Sequence, residues 1–422
     1  MPMRTTSLAA ACLMALATSA HAAGPLVGPG SKVATDLPEP YATESVEVRS
    51  KVIGWPEGRT PKAPSGFKVT AFATDLDNPR WMHVLDNGDV LVSEARTRPK
   101  GARNNGEGDV SADRITLFRD TDGDGQPDAR HVFLADLNQP FGMLQRGDQF
   151  YVANTDGVYV YPYETGQTTL RAKGRKILDL PAGGYNNHWT RNIVASPDGE
   201  HLFVTVGSAS NNGEFGLDEE KRRANILRIR PDGSDEQVYA AGLRNPNGIA
   251  FKDGRMWTAV NERDHLGDNL VPDYITEVEQ GAFYGWPYAY FGPKEDPRLK
   301  GKAPELVAKT RVPDFSVGPH VAAMDITFYD GQAFPAKYRG GALVGLHGSW
   351  NRAQLNGYKV LFVPFQGARP VDAAEDFLTG FVKEGSNTEA YGRPVATVVL
   401  DDGSILVSDD SGNTIWRVSY EG

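Results

Sequence analysis

Short apolar runs recur along this chain, and each ends at a turn of Asp, Asn or Gly before a second β-rich run begins. The first unit reads Asn78-Pro79-Arg80-Trp81-Met82-His83-Val84, turn Asp86-Asn87-Gly88, then Val90-Leu91-Val92. The second is Gln139-Pro140-Phe141-Gly142-Met143, turn Arg146-Gly147-Asp148, then Phe150-Tyr151-Val152. A third is Arg191-Asn192-Ile193-Val194, turn Pro197-Asp198-Gly199, then Leu202-Phe203-Val204. A fourth is Asn245 to Phe251, turn Asp253-Gly254, then Met256-Trp257. A looser fifth joins Met324 to Phe328 with Ala342-Leu343-Val344-Gly345, and the sixth joins Arg393-Pro394-Val395-Ala396 to Ile405-Leu406-Val407 through Asp401-Asp402-Gly403. Asp-Gly and Asn-Gly turns between short β-rich runs are hairpin chemistry. Six copies, spaced by roughly 60 residues, are one supersecondary unit repeated. No long segment has helical periodicity, the nearest being the polar stretch from Leu217 to Ala224. The pattern predicts an all-β protein, a six-bladed β-propeller over residues 65–422, with two unrelated β domains as the alternative.

The 46 Gly and 28 Pro in 422 residues supply the turns of such a fold. A net charge of −10 with no basic run speaks against a nucleic-acid partner. The start of the chain has Arg4, an apolar stretch from Leu8 to Ala17, and Ala20-His21-Ala22. This describes a secretory signal over residues 1–22, and hence a periplasmic or secreted protein. The single Cys12 lies inside that segment, which leaves no disulfide framework, no cysteine-held metal and no covalent c-type haem. Residues 23–64, rich in Pro, Gly, Ser and Glu, read as an extended lead-in. No other apolar stretch is long enough for a membrane span.

A propeller gathers the loops of all its blades at one end of the axis, and several of those loops carry chemistry. Asn187-His188 precedes the third unit, Arg244-Asn245-Pro246 opens the fourth, and Asn261-Glu262-Arg263-Asp264-His265 closes it. His347 to Arg352 closes the fifth, and Arg393-Pro394 opens the sixth. One His among several Arg suits an anionic ligand and proton abstraction. A structural reading, in which each loop Arg is solvated or bonded to its own loop, stands beside it. Separately, Asp120-Thr121-Asp122-Gly123-Asp124-Gly125-Gln126-Pro127-Asp128 matches the first nine places of a calcium loop. Asp120, Asp122 and Asp124 give side-chain oxygens, Gln126 its carbonyl and Asp128 a further ligand. His131 stands at the twelfth place, so the expectation is a structural staple in a hairpin, with a metal-free Asp/Gly tip as the alternative. No hydrolase elbow, phosphate loop or dinucleotide fingerprint is present.

The motifs from Ser65 to the C-terminus resemble, in order, those of the pyrroloquinoline-quinone-dependent sugar dehydrogenases, specifically the sorbosone dehydrogenase family. They are Gly66-Phe67-Lys68-Val69, Gln139-Pro140-Phe141-Gly142, His188, Ser196-Pro197-Asp198-Gly199, Val206-Gly207-Ser208, Leu243-Arg244-Asn245-Pro246 and Asn261-Glu262-Arg263-Asp264. Tyr284-Gly285-Trp286-Pro287, Gln332-Ala333-Phe334-Pro335, His347 to Arg352 and Gly392-Arg393-Pro394 complete the set. The resemblance implies a six-bladed propeller that oxidises a sugar or sugar aldehyde, with His188 as general base. It implies cofactor contacts from Gln139, Asn187, Arg244, Asn245 and Arg393, with His347 and Arg352 where the glucose enzymes use a Lys. A catalytic calcium would take the backbone carbonyls of Arg263 and Asp264. The Asp that orients the base in the glucose enzymes is replaced by Ser208. With no haem of its own, such an enzyme passes electrons to a separate carrier, a cytochrome or a quinone. The competing readings are a metal-dependent lactonase or lyase on the same fold, and a non-enzymatic propeller that binds glycans or proteins.

Overall fold

The second strand of each repeat unit carries consecutive apolar residues because it is buried on both faces. In Val90–Glu94, Val90 and Val92 point to one side and Leu91 to the other. Gln149–Asn154 divides in the same way: Phe150 and Val152 enter one cluster, Tyr151 and Ala153 the next. Such strands lose the apolar–polar alternation of a half-exposed sheet and read as continuous apolar runs.

The computed structural model describes residues 37–97, 111–371 and 373–422. The expected signal segment and the start of the lead-in lie outside them. Six four-stranded antiparallel sheets form the blades of a β-propeller. Blade 1 is built from Pro79–Val84, Val90–Glu94, Arg114–Arg119 and Ala129–Leu134. Blade 2 uses Pro140–Arg146, Gln149–Asn154, Gly157–Pro162 and Arg175–Asp179. Blade 3 uses Ile193–Ala195, Leu202–Val206, Asn225–Ile229 and Gln237–Ala241. Blade 4 uses Pro246–Lys252, Arg255–Val260, Pro272–Glu277 and Phe315–Pro319. Blade 5 uses Thr327–Phe328, Ala342–Leu346, Lys359–Val363 and Glu375–Leu378. Blade 6 takes Pro394–Val399, Ile405–Asp409 and Thr414–Tyr420 from the end of the chain and its outer strand, Phe67–Ala73, from the beginning. Every predicted repeat unit supplies the first two strands of one blade.

Six apolar clusters, one at each junction between neighbouring blades, form the core. The first strands ring the axis. Four of them carry the same irregularity: the pairing register shifts just after the opening proline, at Pro79/Met82, Pro140/Met143, Pro246/Ile249 and Pro394/Thr397. A bulge there bends the strand and increases its twist where it leaves the mouth. The ring is tight at this level. A Cβ on Gly142 would stand 2.7 Å from the Cα of Asn192 in the next blade, and one on Gly248 would collide with the backbone of Asp325 and Ile326.

The lead-in is integrated with the propeller from Leu37 onward. Lys51–Val52 pairs in parallel with Glu389–Ala390, and Tyr41 and Val48 donate backbone N–H groups to the carbonyls of Leu266 and Trp350. Among the described residues no helix is long and apolar enough to cross a membrane.

Gly248→Ala tests the tightness of the ring. The added methyl meets backbone, which cannot rotate away, so a loss of about 1–3 kcal/mol is expected in urea unfolding. An unchanged midpoint would mean that the blades separate more easily than this packing implies.

Candidate active site

Antiparallel pairing sets the start of each first strand beside the end of its second strand: Pro79 faces Glu94, Pro140 faces Asn154, Pro246 faces Val260 and Pro394 faces Asp409. The residues just outside those pairs therefore share one end of the axis. They include Gln139, Arg244, Asn245, Asp264, His347, Arg393 and Asp410, together with His188 from the loop before blade 3.

The axis beneath this mouth is closed. Trp81 lies 5.1 Å from Phe141, which meets Trp189 edge-on at 6.3 Å, and Met324, Val395 and Ala396 pack against Trp81 from the other side. A cavity of about 360 Å³, lined by the second halves of the first strands from Trp81, His83, Phe251, Phe328 and Thr397, lies on the far side of this plug.

His188 is buried at the mouth. Its Nδ1 lies 2.8 Å from the carbonyl oxygen of Ser208 and 2.9 Å from Ser208 Oγ. The carbonyl can only accept, and the Ser208 hydroxyl donates to the carbonyl of Ser210 at 2.7 Å. Nδ1 therefore carries the proton, and Nε2 presents a lone pair, 3.3 Å from Asn187 Nδ2. Burial, and then the Arg244 guanidinium, push this imidazole well below its ordinary range, so it is neutral. Gly207 makes the approach possible: a Cβ there would fall 2.5 Å from Asn245 Oδ1 and 2.6 Å from the Cβ of His188. Asn245 Oδ1 is buried and has no hydrogen-bond partner among the described residues. An unpaired buried acceptor costs about 1–3 kcal/mol, which a ligand donor would recover.

Arg244 is buried and donates to Asn211 O at 3.0 Å, Asn211 Oδ1 at 2.9 Å and Asn261 Oδ1 at 2.8 Å, with Asp264 Oδ2 at 3.3 Å. Asp264 Oδ1 lies 3.1 Å from His320 Nδ1, while His320 Nε2 faces the carbonyl of Gly267 at 3.0 Å. Burial opposes charge on both, yet their contact prevails, raising the imidazole and lowering the carboxyl.

Across the mouth, Asp410 anchors a second network. It is ion-paired with Arg80 and bonded to His347 Nε2 at 2.9 Å. Burial, then Arg393, push His347 down to about 4. Asp410 is held well below the carboxylate range by His347 and Arg80, against the pull of burial. Arg393 donates to the carbonyls of His347 and Gly348 at 3.0 and 2.8 Å.

The structure thus groups His188, Asn187, Arg244, Asn245 and Asp264 on one side, and His347 and Arg393 on the other. Gln139 sits apart, buried, with its Nε2 on the carbonyl of Arg96 at 2.8 Å. Arg352 lies at the rim, donating to Asn269 Oδ1 at 3.0 Å near Asp268. The side chain of Arg263 turns away from the mouth into a buried set with Glu262, Asp296 and the carbonyls of Pro287 and Ala289. Sequence reasoning missed Arg80, Asp410 and His320. Arg80 follows the Pro of the first unit, and Asp410 directly follows the second strand of the sixth, so the repeat register was the signal that could have found them.

Two metal expectations meet different surroundings. The carbonyl of Asp264 already accepts from Arg298 Nη1 at 3.0 Å and Asn211 Nδ2 at 3.2 Å, and a guanidinium beside it disfavours a cation. In the exposed hairpin tip, Asp120, Asp122 and Asp124 bring carboxylate oxygens within 4.8 Å of one another. Both oxygens of Asp128 are bonded to Thr121, and those of Asp120 accept from Gly123 and Gly125.

Residues 59–355 match the model of a domain of unknown function (DUF7133), and residues 305–421 match one described as TrAA12-like. An uncharacterized protein of Borreliella burgdorferi is 29% identical over 375 residues, which cover 86% of this chain and 91% of that protein. A pyrroloquinoline quinone-dependent pyranose dehydrogenase of Coprinopsis cinerea is 23% identical over an alignment covering 84% of this chain and 54% of that protein, so the chain spans about half of its length. The solved structure of the holo form of the PQQ domain of pyranose dehydrogenase from Coprinopsis cinerea superposes with a TM-score of 0.70 at 22% identity, covering 87% of this chain and 99% of that one. That likeness establishes the common fold.

Beneath the mouth, Asp325 is buried, bonded through one oxygen to Thr397 N and Oγ1 at 2.8 Å each, and has its other oxygen without a partner among the described residues. Burial pushes its carboxyl up to about 7, as it does that of Asp273. A folded-state value above the unfolded one means that the native state holds the proton longer. Stability is therefore greatest below about pH 4 for these groups and falls as pH rises to about 7, by up to about 4 kcal/mol per group. Asp325→Asn, a neutral isostere, is expected to reduce the loss of stability between pH 5 and 8 in urea melts. An equal loss in both proteins would place the titration elsewhere.

Proposed function

The chain belongs to the DUF7133 family, and we propose that it is a quinone-dependent dehydrogenase that oxidises a sugar or sugar aldehyde at the mouth of the propeller. The observation that carries this reading is the neutral, oriented His188 beside a buried, unpartnered Asn245 oxygen, with Arg244 on one side and Arg80 and Arg393 on the other. Three guanidiniums converge on the mouth, while its carboxylates Asp264 and Asp410 are each already engaged with an Arg and a His. That arrangement suits a planar polyanion, and pyrroloquinoline quinone, the cofactor in the name of the Coprinopsis relative, carries three carboxylates.

Arg244 and Asn245 would hold the cofactor from the blade 4 side, and Arg393 and Arg80 from the blades 6 and 1 side. When bound, the quinone supplies a two-electron acceptor for the hydride of the carbon being oxidised. The proton of the substrate hydroxyl goes to His188 Nε2, whose lone pair is fixed by the bonds at Nδ1. Because burial and Arg244 both disfavour the imidazolium, His188 must release that proton readily after turnover. Asn187 donates to Nε2 in the resting protein and must yield this bond as substrate arrives.

The Arg263–Asp264 carbonyls do not fit a calcium, because Arg298 already donates to that of Asp264. The hairpin carboxylates of Asp120, Asp122 and Asp124 form the better calcium candidate, in a structural role. Within this reading the substrate is of the aldose or sorbosone class, the protein works in the periplasm or outside the cell, and a separate cytochrome or quinone carrier receives the electrons. A hydrolytic reading is less well supported, since both carboxylates at the mouth are engaged with Arg and His.

Addition of pyrroloquinoline quinone to the purified protein should perturb the quinone absorbance saturably and produce dye-reducing activity with an aldose or sorbosone. His188→Ala should retain the titration but lose about 10²–10⁴-fold in kcat. Failure of the quinone to bind overturns the proposal, whereas wild-type turnover in His188→Ala removes only the base.

A further inference from the structure

The loop that orients His188 is itself held by one carboxylate. Glu220 sits on a single 3₁₀ turn, Leu217–Glu220, and its side chain reaches back to the loop that follows the second strand of blade 3. Glu220 Oε2 accepts the N–H of Ala209 at 2.7 Å. Its Oε1 accepts the N–H of Ser210 at 3.0 Å and the Ser210 hydroxyl at 2.6 Å. Three bonds from one carboxylate fix two successive peptide units.

The segment 208–210 that they hold leads to the imidazole by two routes. The carbonyl of Ser210 takes the Ser208 hydroxyl proton at 2.7 Å, which turns the Ser208 Oγ lone pair toward His188 Nδ1. The carbonyl of Ala209 takes the backbone N–H of Asn187 at 2.9 Å, which fixes the residue next to His188. The N–H of Ser208 is bonded to the carbonyl of Arg244 at 2.7 Å, so the remaining end of the segment is tied to blade 4.

We propose that Glu220 is the positioning residue of the His188 base, acting through residues 208–210; this rests on the dehydrogenase reading above. A carboxylate directly against Nδ1 would orient the ring but also favour its protonated form. Placed one peptide away, the carboxylate supplies the orientation while the ring receives only neutral acceptors, the Ser208 carbonyl and hydroxyl. The base stays neutral and its tautomer is fixed. The charge of Glu220 is spent on backbone N–H groups and a hydroxyl, the charge-assisted kind of hydrogen bond that best holds a loop.

The test uses the full-length protein labelled with ¹⁵N-histidine, in which the His188 ring nitrogens report the tautomer directly. Wild type should show a single Nδ1–H form. Glu220→Gln keeps the size and can keep the Ser210 bonds, but turns an amide N–H₂ toward the N–H of Ala209; Glu220→Ala removes both arms. Each should convert His188 to a mixture of tautomers and lower kcat about ten- to a hundredfold, with KM within about twofold. Asp218→Asn, on the exposed side of the same turn, should change neither. A His188 that keeps its single tautomer in either folded Glu220 variant overturns the proposal, whatever happens to Tm. The tautomer measurement needs neither quinone nor sugar. A protein with the tautomer effect but no quinone binding would therefore keep Glu220 as the support of His188 and remove the dehydrogenase reading.

Discussion

A sheet that is apolar on both faces has to be covered twice, and every blade here is such a sheet. Leu202 and Val204 face blade 2 while Phe203 faces blade 4; Ile405 and Val407 face blade 5 while Leu406 faces blade 1. No blade can be terminal without leaving a large apolar surface in water, at about 25 cal/mol per Å². The ring must close, and closure needs one blade whose strands come from both ends of the chain. Phe67–Ala73 does this by pairing with Thr414–Tyr420 along its length. Once the ring is closed, the first strands have nowhere to go but the axis, and their openings have nowhere to meet but one mouth.

That geometry explains the electrostatics of the mouth. Charges concentrated by six converging loops, with a plug of Trp81, Phe141 and Trp189 below, are poorly solvated, and isolated ions there would be costly. Each guanidinium is accordingly engaged: Arg244 by Asn211, Asn261 and Asp264, Arg80 by Asp410, and Arg393 by two carbonyls. His188 and His347 are pushed down first by burial and then by the Arg244 and Arg393 guanidiniums, whereas His320, facing Asp264, is driven the other way. One fold thus shifts imidazoles around a shared mouth in opposite directions.

The architecture was legible in the sequence because the repeat is a repeat of turn chemistry. Pro at the head of a first strand and Asp-Gly or Asn-Gly before the second are local requirements, visible without any partner. The place of residues adjoining those markers, such as Arg244, Asn245 and Arg393, at one end of the axis was legible for the same reason. Glu220 and His320 were not, because each acts through a contact made only when the chain folds, and neither sits at a marked place in the repeat. Arg352 illustrates the opposite case: its position in the His347–Arg352 motif suggested a cofactor contact, and the fold engages it with Asn269 and Asp268 at the rim. Sequence spacing fixes which loop a residue is on, but not which way the loop turns its side chain.

The lead-in shows how closure and site are connected. Trp55 packs among Phe381, Tyr391 and Trp416 at the junction of blades 5 and 6, and donates its indole N–H to Asp409 Oδ2 at 2.6 Å. The other oxygen of Asp409 accepts the N–H of Arg393 at 2.7 Å and that of Gly412 at 2.8 Å. Burial raises the Asp409 carboxyl, so this residue is retained against a desolvation cost that its hydrogen bonds must offset. The next residue is Asp410, the anchor of Arg80 and His347. A chain segment outside the repeats thus fixes the backbone from which one half of the mouth is built. The lead-in belongs to the site as much as to the closure of the ring, and blade 6 is where the two requirements coincide.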